Sequence, residues 1–98
     1  MRIFWTPLAE RTYYDNLVYL EKNWPESVIE NFIAEVEKIL TLLEVDPEIF
    51  RLWEKEIKVR VAPINKHTSL FYHFDKNVVS ILLFWNHKRN PDSLRNFF

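Results

Sequence analysis

The sequence of 98 residues contains no glycine and no cysteine. Phosphate-binding loops and dinucleotide-binding fingerprints need glycine, because a Cβ atom would keep the backbone away from the phosphate. The absence of glycine therefore excludes both kinds of motif. The absence of cysteine excludes disulfide bonds and thiolate zinc sites, and it fits a protein of the reducing cytoplasm.

Long apolar stretches are also missing. No segment approaches the roughly 20 apolar residues that cross a bilayer, and the first seven residues, MRIFWTP, do not begin a signal peptide. We therefore expect a cytoplasmic protein with no membrane partner. Because 98 residues are enough for one hydrophobic core only, we predict a single domain over residues 1–98.

Charge is divided unevenly along the chain. Residues 1–56 hold 6 Lys or Arg against 12 Asp or Glu, a balance of −6, whereas residues 57–98 hold 7 against 2, a balance of +5. All 3 histidines lie in the second part. The simplest interpretation is an acidic helical surface beside a modestly basic sheet, and the basic part is a candidate face for an anionic partner.

The stretch from Ser80 to Pro91 organises the predicted fold. Ile81 to Trp85 are continuously apolar, which is typical of a strand buried on both faces inside a sheet. Pro91 ends this stretch because proline has no amide hydrogen for a strand ladder. The polar segment before it carries His87 and Arg89, and we expect it to lead from a rigid strand end into solvent.

Before this strand, the sequence predicts a short strand and two amphipathic helices. Arg2 to Trp5 are mostly apolar, and Thr6-Pro7 is an N-cap followed by proline at the first helical position. Pro25 separates the first helix from the second. The apolar stripe of the second helix has three- and four-residue spacing and comprises Ile29, Phe32, Ile33, Val36, Ile39, Leu40 and Leu43. Two such helices with a short break predict an antiparallel hairpin packed on a sheet.

Two more strands are predicted between the helices and the central strand. In the first, Val59 and Val61 alternate with Lys58 and Arg60, so we expect the valines to face the helices and the cations to lie on the open face. Thr68–Phe74 is the second, joined to the central strand by a short polar turn. The predicted fold class is α+β: a strand, a two-helix antiparallel hairpin, and three antiparallel strands in one sheet, with the helices on one face.

Three segments in this order resemble the RelE/ParE superfamily, the small toxins of type II toxin–antitoxin modules. They are Ile3-Phe4-Trp5-Thr6-Pro7-Leu8-Ala9, Lys66-His67-Thr68-Ser69-Leu70-Phe71-Tyr72 and Leu83-Phe84-Trp85-Asn86-His87-Lys88-Arg89-Asn90-Pro91. The resemblance covers nearly the whole chain and implies a toxin that a cognate antitoxin neutralises by folding around it. RelE-like members are ribosome-dependent endonucleases that cut mRNA, whereas ParE-like members poison DNA gyrase. We expect no cofactor, and the three histidines have no carboxylates in strand register that would make a metal site.

For an mRNA endonuclease, the resemblance implies that Lys58 and Arg60 on the alternating strand and Arg89 after the central strand are catalytic. Cleavage of RNA by its own 2′-hydroxyl requires a base, an acid and cations that stabilise the phosphorane charge. Without the resemblance, Lys58 and Arg60 are most simply solvent-facing residues of a half-buried strand.

The resemblance also reveals two departures from the pattern of the nuclease members. Ser69 lies where nuclease members have an arginine, and Arg95 lies about where they have a tyrosine. His73 and His87 are candidates for the missing acid or base, since histidine titrates near neutrality. The simpler interpretation of His73 is a partly buried histidine with satisfied hydrogen bonds.

The antitoxin is the partner that the resemblance implies most directly. An acidic segment laid over the cations would neutralise them, and aromatic side chains would anchor its apolar residues. The predicted antitoxin-binding residues are Trp53, Lys58, Arg60, Phe97 and Phe98. Three mechanisms remain open: a ribosome-dependent mRNA endonuclease, a gyrase poison that acts by binding without hydrolysis, and an inactivated relative that only binds its antitoxin.

Overall fold

The computed structural model describes all residues from 1 to 98. Its elements are, in chain order, β1 Arg2–Trp5, α1 Pro7–Asn23, α2 Glu26–Val45, β2 Leu52–Glu54, β3 Val59–Pro63, β4 Thr68–Asp75, β5 Val78–Asn86, α3 Pro91–Leu94 and a terminal 3-10 turn at Arg95–Phe97. The strands form one sheet in the order β1-β5-β4-β3-β2, with β1 parallel to β5 and the other neighbours antiparallel. The predicted α+β class is confirmed, and the short β2 adds a fifth strand. None of the helices combines the length and the apolar composition that crossing a bilayer requires.

β5 lies inside the sheet, between β1 and β4, as its apolar run predicts. Ile81 and Phe84 pack in the helix-facing core, whereas Leu83 and Trp85 pack on the opposite face. The irregular spacing results from a shift in register near Leu82, which inserts one extra residue into β5 relative to β4. The bulge therefore decides which face each residue beyond it occupies.

Helix α1 closes the edge of β5 that β1 leaves open. Thr6 caps the helix by accepting a hydrogen bond from the Ala9 amide at 3.1 Å, and its hydroxyl donates to the Ile81 carbonyl at 2.8 Å. Further along the helix, Thr12 Oγ1 accepts a hydrogen bond from the buried Phe84 amide at 2.9 Å. A strand amide that would otherwise be buried without a partner is thus satisfied by a side chain of the helix.

Apolar side chains are buried on both faces of the sheet. The larger cluster lies between sheet and helices, and its α2 members are Phe32, Val36, Ile39 and Leu43. The smaller cluster lies on the other face and comprises Val59, Val61, Phe71, Leu83, Trp85 and Leu94. Because Leu94 belongs to α3, the C-terminal segment covers part of the face that the sequence predicts to be open.

The predicted orientation of β3 is wrong for this reason. Val59 and Val61 pack in the smaller cluster, away from the helices. Arg60, between them, pairs across the strands with Tyr72, which belongs to the helix-facing core. Lys58 lies before β3, in a turn with a φ of 54°, and is exposed. Alternation separates the two faces of a strand, but it does not say which one meets the helices when both are covered.

Candidate functional site

The sheet face opposite the helices carries a cluster of aromatic side chains, which we call the aromatic face. Its members are Trp53, Phe71, Trp85, Phe97 and Phe98. The Trp53 ring lies 5.3 Å from both Phe71 and Phe98, and the Trp85 ring lies 6.1 Å from Phe97. The terminal aromatics therefore fold back onto the domain. Phe97 and Phe98 nevertheless remain 37% and 39% exposed, so the cluster offers apolar surface to a partner.

Two arginines lie over this cluster. The Arg89 Cζ atom is 4.7 Å from the Trp85 ring centre, and the Arg95 Cζ atom is 5.3 Å from the Trp53 ring centre. Arg95 also lies 3.3 Å from the Glu54 carboxylate. A guanidinium that stacks on a ring keeps in-plane N–H groups for further hydrogen bonds. The aromatic face thus combines rings with two exposed positive charges.

His87 is held by hydrogen bonds in the loop that follows β5. Its Nε2 atom lies 2.8 Å from Ser69 Oγ, and its Nδ1 atom lies 3.1 Å from the Lys66 carbonyl. A carbonyl only accepts, so in the neutral ring Nδ1 carries the proton and Nε2 accepts a hydrogen bond from the Ser69 hydroxyl. Ser69, at the position where the nuclease pattern has an arginine, is buried and binds the histidine.

His73 lies in β4, far along that strand from Ser69, the residue that His87 contacts. It is four residues beyond Ser69, and its partner across the strands is Ser80. At about 3.3 Å per residue, roughly 13 Å of strand separates His73 from the residue that His87 contacts. The two candidate acid–base residues are therefore not brought together. No group of His, Asp and Glu side chains is close enough to hold a metal ion.

Arg60 is bound by backbone carbonyl groups on the helix side. Its Nη1 atom donates to the Phe50 carbonyl at 2.7 Å and to the Glu48 carbonyl at 3.3 Å, and its Cζ atom lies 5.6 Å from the Phe74 ring centre. These contacts hold the loop between α2 and β2. The hydroxyl of Tyr72 binds the same loop by donating to the Pro47 carbonyl at 2.7 Å.

Burial governs the ionisation of Tyr72. It raises the pKa of the phenol to about 12, although the nearby Arg60 guanidinium lowers it. The tyrosine therefore remains a neutral donor at physiological pH, and together with Arg60 it forms a structural anchor for the loop.

Of the three predicted cations, only Arg89 contacts the aromatic face. Lys58 is in the turn before β3, and Arg60 is on the helix side. The expectation that Lys58 and Arg60 lie together on an open sheet face is wrong, and Arg89 lies with neither of them. The structure does bring together Trp53, Phe97 and Phe98, the aromatic part of the predicted antitoxin-binding set.

Sequence reasoning did not include Trp85 among the site residues. Its place on the aromatic face depends on the bulge near Leu82, which shifts the alternation of β5 by one residue. The sequence offered one signal for this contact, because Arg89 follows Trp85 by four residues, just beyond the end of β5. Such a spacing indicates a contact only when the path of the loop is known.

Several solved structures share this fold at low sequence identity. The YoeB dimer from Staphylococcus aureus is 15% identical with a TM-score of 0.57, over 83% of this chain and 90% of that one. The YoeB–YefM complex from Staphylococcus aureus is 15% identical with a TM-score of 0.59, over 89% and 97%. The YoeB/ParE toxin from Agrobacterium tumefaciens is 10% identical with a TM-score of 0.61, over 89% and 99%. At such identities the similarity concerns the fold.

The family of this chain is identified from its sequence. No curated protein sequence matches the chain. The family described as "ParE toxin of type II toxin-antitoxin system, parDE" matches residues 3–91, which include both long helices and all of the five strands except Arg2. The RelE/ParE resemblance is thereby confirmed, and the chain belongs to the ParE toxin family of type II toxin–antitoxin systems.

Proposed function

We propose that the chain is a toxin that acts by binding DNA gyrase and that it cleaves no bond itself. The observation that carries this proposal is the composition of the aromatic face. Arg89 and Arg95 stack on Trp85 and Trp53 there, with exposed phenylalanines beside them. Tryptophan, tyrosine and arginine dominate the energetics of protein–protein interfaces, because they combine large contact area with directed hydrogen bonds.

The placement of the polar residues argues against cleavage of RNA. A nuclease has to surround one phosphate with a base, an acid and cations. Here Arg60 is engaged with carbonyl groups on the other side of the sheet, and Ser69 is engaged with His87. Arg95, near the position where the pattern has a tyrosine, is engaged in an ion pair with Glu54.

One observation favours ribosome-dependent mRNA cleavage as a second candidate. The neutral form of His87 has Nε2 as its acceptor, and Arg89 follows two residues later on the same exposed loop. A base and a neighbouring cation are two of the groups that the reaction needs, and an acid is the third. In this alternative, the Ser69 hydroxyl would have to release Nε2 when the substrate binds.

We also propose that a cognate antitoxin neutralises the chain through the aromatic face. YoeB, which shares the fold, occurs in a complex with YefM. Apolar side chains of an acidic segment would pack on Trp53, Phe97 and Phe98, and its carboxylates would reach Arg89 and Arg95. Lys58 would make a peripheral contact from its exposed turn. Arg60 would act indirectly, because it holds the loop that leads into β2.

The two toxin mechanisms are separated by parallel assays on the purified chain. We expect inhibition of supercoiling by DNA gyrase, with intact mRNA in a translation reaction mapped by primer extension. Arg89→Ala should weaken the inhibition of gyrase at least tenfold, whereas Tyr14→Ala, an exposed residue of α1, should leave it unchanged. Active gyrase together with mRNA cut at codon positions would select the second candidate, and His87→Ala should then abolish cleavage.

The antitoxin surface is tested with the cognate antitoxin. Co-expression should restore growth, and the purified pair should form a stable complex. Trp53→Ala should weaken that complex on the order of 30-fold or more, the effect of an interface hot spot. Tyr14→Ala is the control. Equal affinity of the Trp53→Ala variant would show that the antitoxin binds elsewhere.

A further inference from the structure

A cleft lies away from the aromatic rings, between the helical hairpin and the ends of β4 and β5. Its volume is about 320 Å³, and it adjoins a second cleft of about 290 Å³. The two share Asn16, Tyr19, Asn86 and Lys88. The larger cleft is at the lower end of the size range of small-molecule sites, about 300–1,000 Å³.

Two buried polar side chains in the wall of the larger cleft have hydrogen-bonding groups without a partner in the chain. Asn16 is 9% exposed, and while its Nδ2 donates to the Thr12 carbonyl at 2.9 Å, its Oδ1 accepts nothing. Thr68 is 4% exposed, and its hydroxyl makes no hydrogen bond. Neither atom is sealed inside the protein, so each is accessible from the cleft. A ligand in the cleft would replace solvent as the hydrogen-bond partner of these two groups.

Aromatic side chains also line the cleft. Tyr19, Trp24 and Phe32 all line the cleft. Trp24 lies at the break between α1 and α2 and is 46% exposed. An exposed indole at the edge of a cleft provides a flat surface on which a planar ring can stack.

The lining of the cleft carries positive charge. Lys66 from the loop before β4 and Lys88 after β5 line it, beside His67, and no acidic residue does so. Lys88 Nζ donates to the Tyr19 hydroxyl at 3.1 Å, which holds the ammonium group at this edge. The cleft therefore attracts an anionic group such as a phosphate at the end where these cations lie.

We propose that this cleft binds a nucleotide. The base would stack on Trp24, its polar edge would pair with Asn16 and Thr68, and its phosphate would lie against Lys66 and Lys88. The observed features are an exposed ring, unpaired hydrogen-bonding groups and clustered cations. A nucleotide matches all three. Because the chain has no glycine, a glycine-rich phosphate loop is excluded, and the lysine side chains would bind the phosphate.

The nucleotide has two possible sources, a free nucleoside monophosphate or one unit of a single-stranded nucleic acid. Both present the same base and phosphate to the cleft. The proposal does not depend on the toxin mechanism, because the cleft shares no residue with the aromatic face.

The test is a titration of the full chain with each of the four ribonucleoside monophosphates, with inorganic phosphate and with a short single-stranded RNA, followed by NMR of the amide and indole N–H groups. We expect at least one monophosphate to bind more tightly than inorganic phosphate and to shift the Trp24 indole signal. Tighter binding of the RNA than of its monophosphates would identify nucleic acid as the source, and equal binding would identify the free nucleotide.

Variants distinguish the cleft from the rest of the surface. Trp24→Ala should lower the affinity on the order of tenfold, the loss expected for one stacked base. Thr68→Val keeps the shape of the side chain, removes the hydroxyl and should lower the affinity severalfold. Tyr14→Ala and Lys38→Ala, which change an exposed ring and an exposed cation elsewhere, should bind as the unaltered chain does.

Three results would overturn the proposal. One is that no nucleotide shifts the spectrum at millimolar concentration, and another is that inorganic phosphate binds as tightly as the nucleotides. The third is that Trp24→Ala and Thr68→Val both retain full affinity. Because Trp24 is half exposed, its replacement is not expected to unfold the chain, so this variant remains decisive even if the buried Thr68 does not tolerate substitution.

Discussion

At the scale of single residues, Arg60 and Lys58 show that the structural role of a charged side chain depends on the groups around it. Both belong to one alternating segment, yet Arg60 donates to the Phe50 and Glu48 carbonyl groups while Lys58 lies exposed in a turn. A charged donor that bonds two carbonyl groups of a loop, one of them part-buried, contributes to stability. An isolated surface cation contributes little.

We predict that Arg60→Met lowers the free energy of unfolding by about 1.5–3 kcal/mol, the range for hydrogen bonds to charged groups. Lys58→Met, the matched control, should change it by no more than about 0.5 kcal/mol, as is usual at exposed positions. Urea denaturation followed by circular dichroism measures both values. Equal effects of the two substitutions would contradict the structural role of Arg60.

The raised pKa of Tyr72 predicts that the protein becomes less stable at alkaline pH. Burial raises its pKa from 10.0 to about 12 in the folded chain. Between these values the unfolded chain loses the phenolic proton and the folded chain keeps it, so the free energy of unfolding falls as the pH rises. The stabilising effect of the raised Tyr72 pKa is fully present below pH 10. Above that pH, the free energy of unfolding falls by at most about 1.4 kcal/mol per pH unit.

The Tyr72→Phe variant isolates this contribution. Near neutral pH it should be less stable than the unaltered chain by about 1 kcal/mol, because it loses the hydrogen bond to Pro47. The difference should shrink as the pH rises above 10, since only the tyrosine titrates. Denaturation curves at several pH values measure this difference, and a gap that stays constant up to pH 11.5 would refute the assignment.

At the scale of elements, α1 and β5 are joined by a side chain as well as by packing. Thr12 Oγ1 accepts from the Phe84 amide at 2.9 Å and donates to the Leu8 carbonyl at 2.8 Å. This hydroxyl connects the helix to a strand amide that has no neighbouring strand beyond the end of β1.

Thr12→Val should destabilise the chain by about 1–3 kcal/mol, because it leaves the buried Phe84 amide without an acceptor. Thr41→Val makes the same change on α2, where the exposed hydroxyl binds only the Glu37 carbonyl of its own helix, and should be nearly neutral. Chemical denaturation compares the two variants. Thr12→Ser, which keeps the acceptor, should recover most of the loss.

The C-terminal segment is the second element whose role depends on a long-range contact. Leu94 is buried against the sheet although it lies in a helix of four residues. Leu94→Ala should cost about 2–4 kcal/mol, as for other buried leucines. Val45→Ala, at an exposed position of α2, is the control. A near-zero effect at Leu94 in thermal or urea unfolding would mean that the segment does not cover the sheet in solution.

At the scale of the whole molecule, the uneven charge follows the architecture. The acidic residues are concentrated in the segment that includes both long helices, with 12 Asp or Glu in residues 1–56, whereas the cations of residues 57–98 lie on the strands, their loops and the C-terminal segment. Separated charge of this kind steers an acidic partner more than it strengthens the final complex.

We therefore predict that the association rate of the cognate antitoxin falls as the salt concentration rises, while its dissociation rate changes little. Arg95→Glu should slow association severalfold. Lys38→Glu makes the same change in net charge on α2 and should have a much smaller effect. Stopped-flow mixing measures the rates, and equal slowing by the two substitutions would mean that net charge matters and the aromatic face does not.

The order and type of the elements could be predicted because local signals define them. Thr6-Pro7 and Pro25 mark the helix boundaries, and the periodicity of α2 needs no knowledge of its neighbours. The apolar run of β5 is likewise recognisable from the local sequence alone. β2 was missed because three residues that pair irregularly with β3 leave no periodic pattern.

The site needed the packing of distant segments. The alternation of β3 is the same whichever side the helices occupy, so it could separate Val59 from Arg60 without orienting either one. Coverage by α3 and the bulge near Leu82 break that symmetry, and they bring Arg89 and Trp85 onto the aromatic face. The physical reason is that a strand pattern records contrast between two faces, whereas the direction of each face depends on which remote apolar surface buries it.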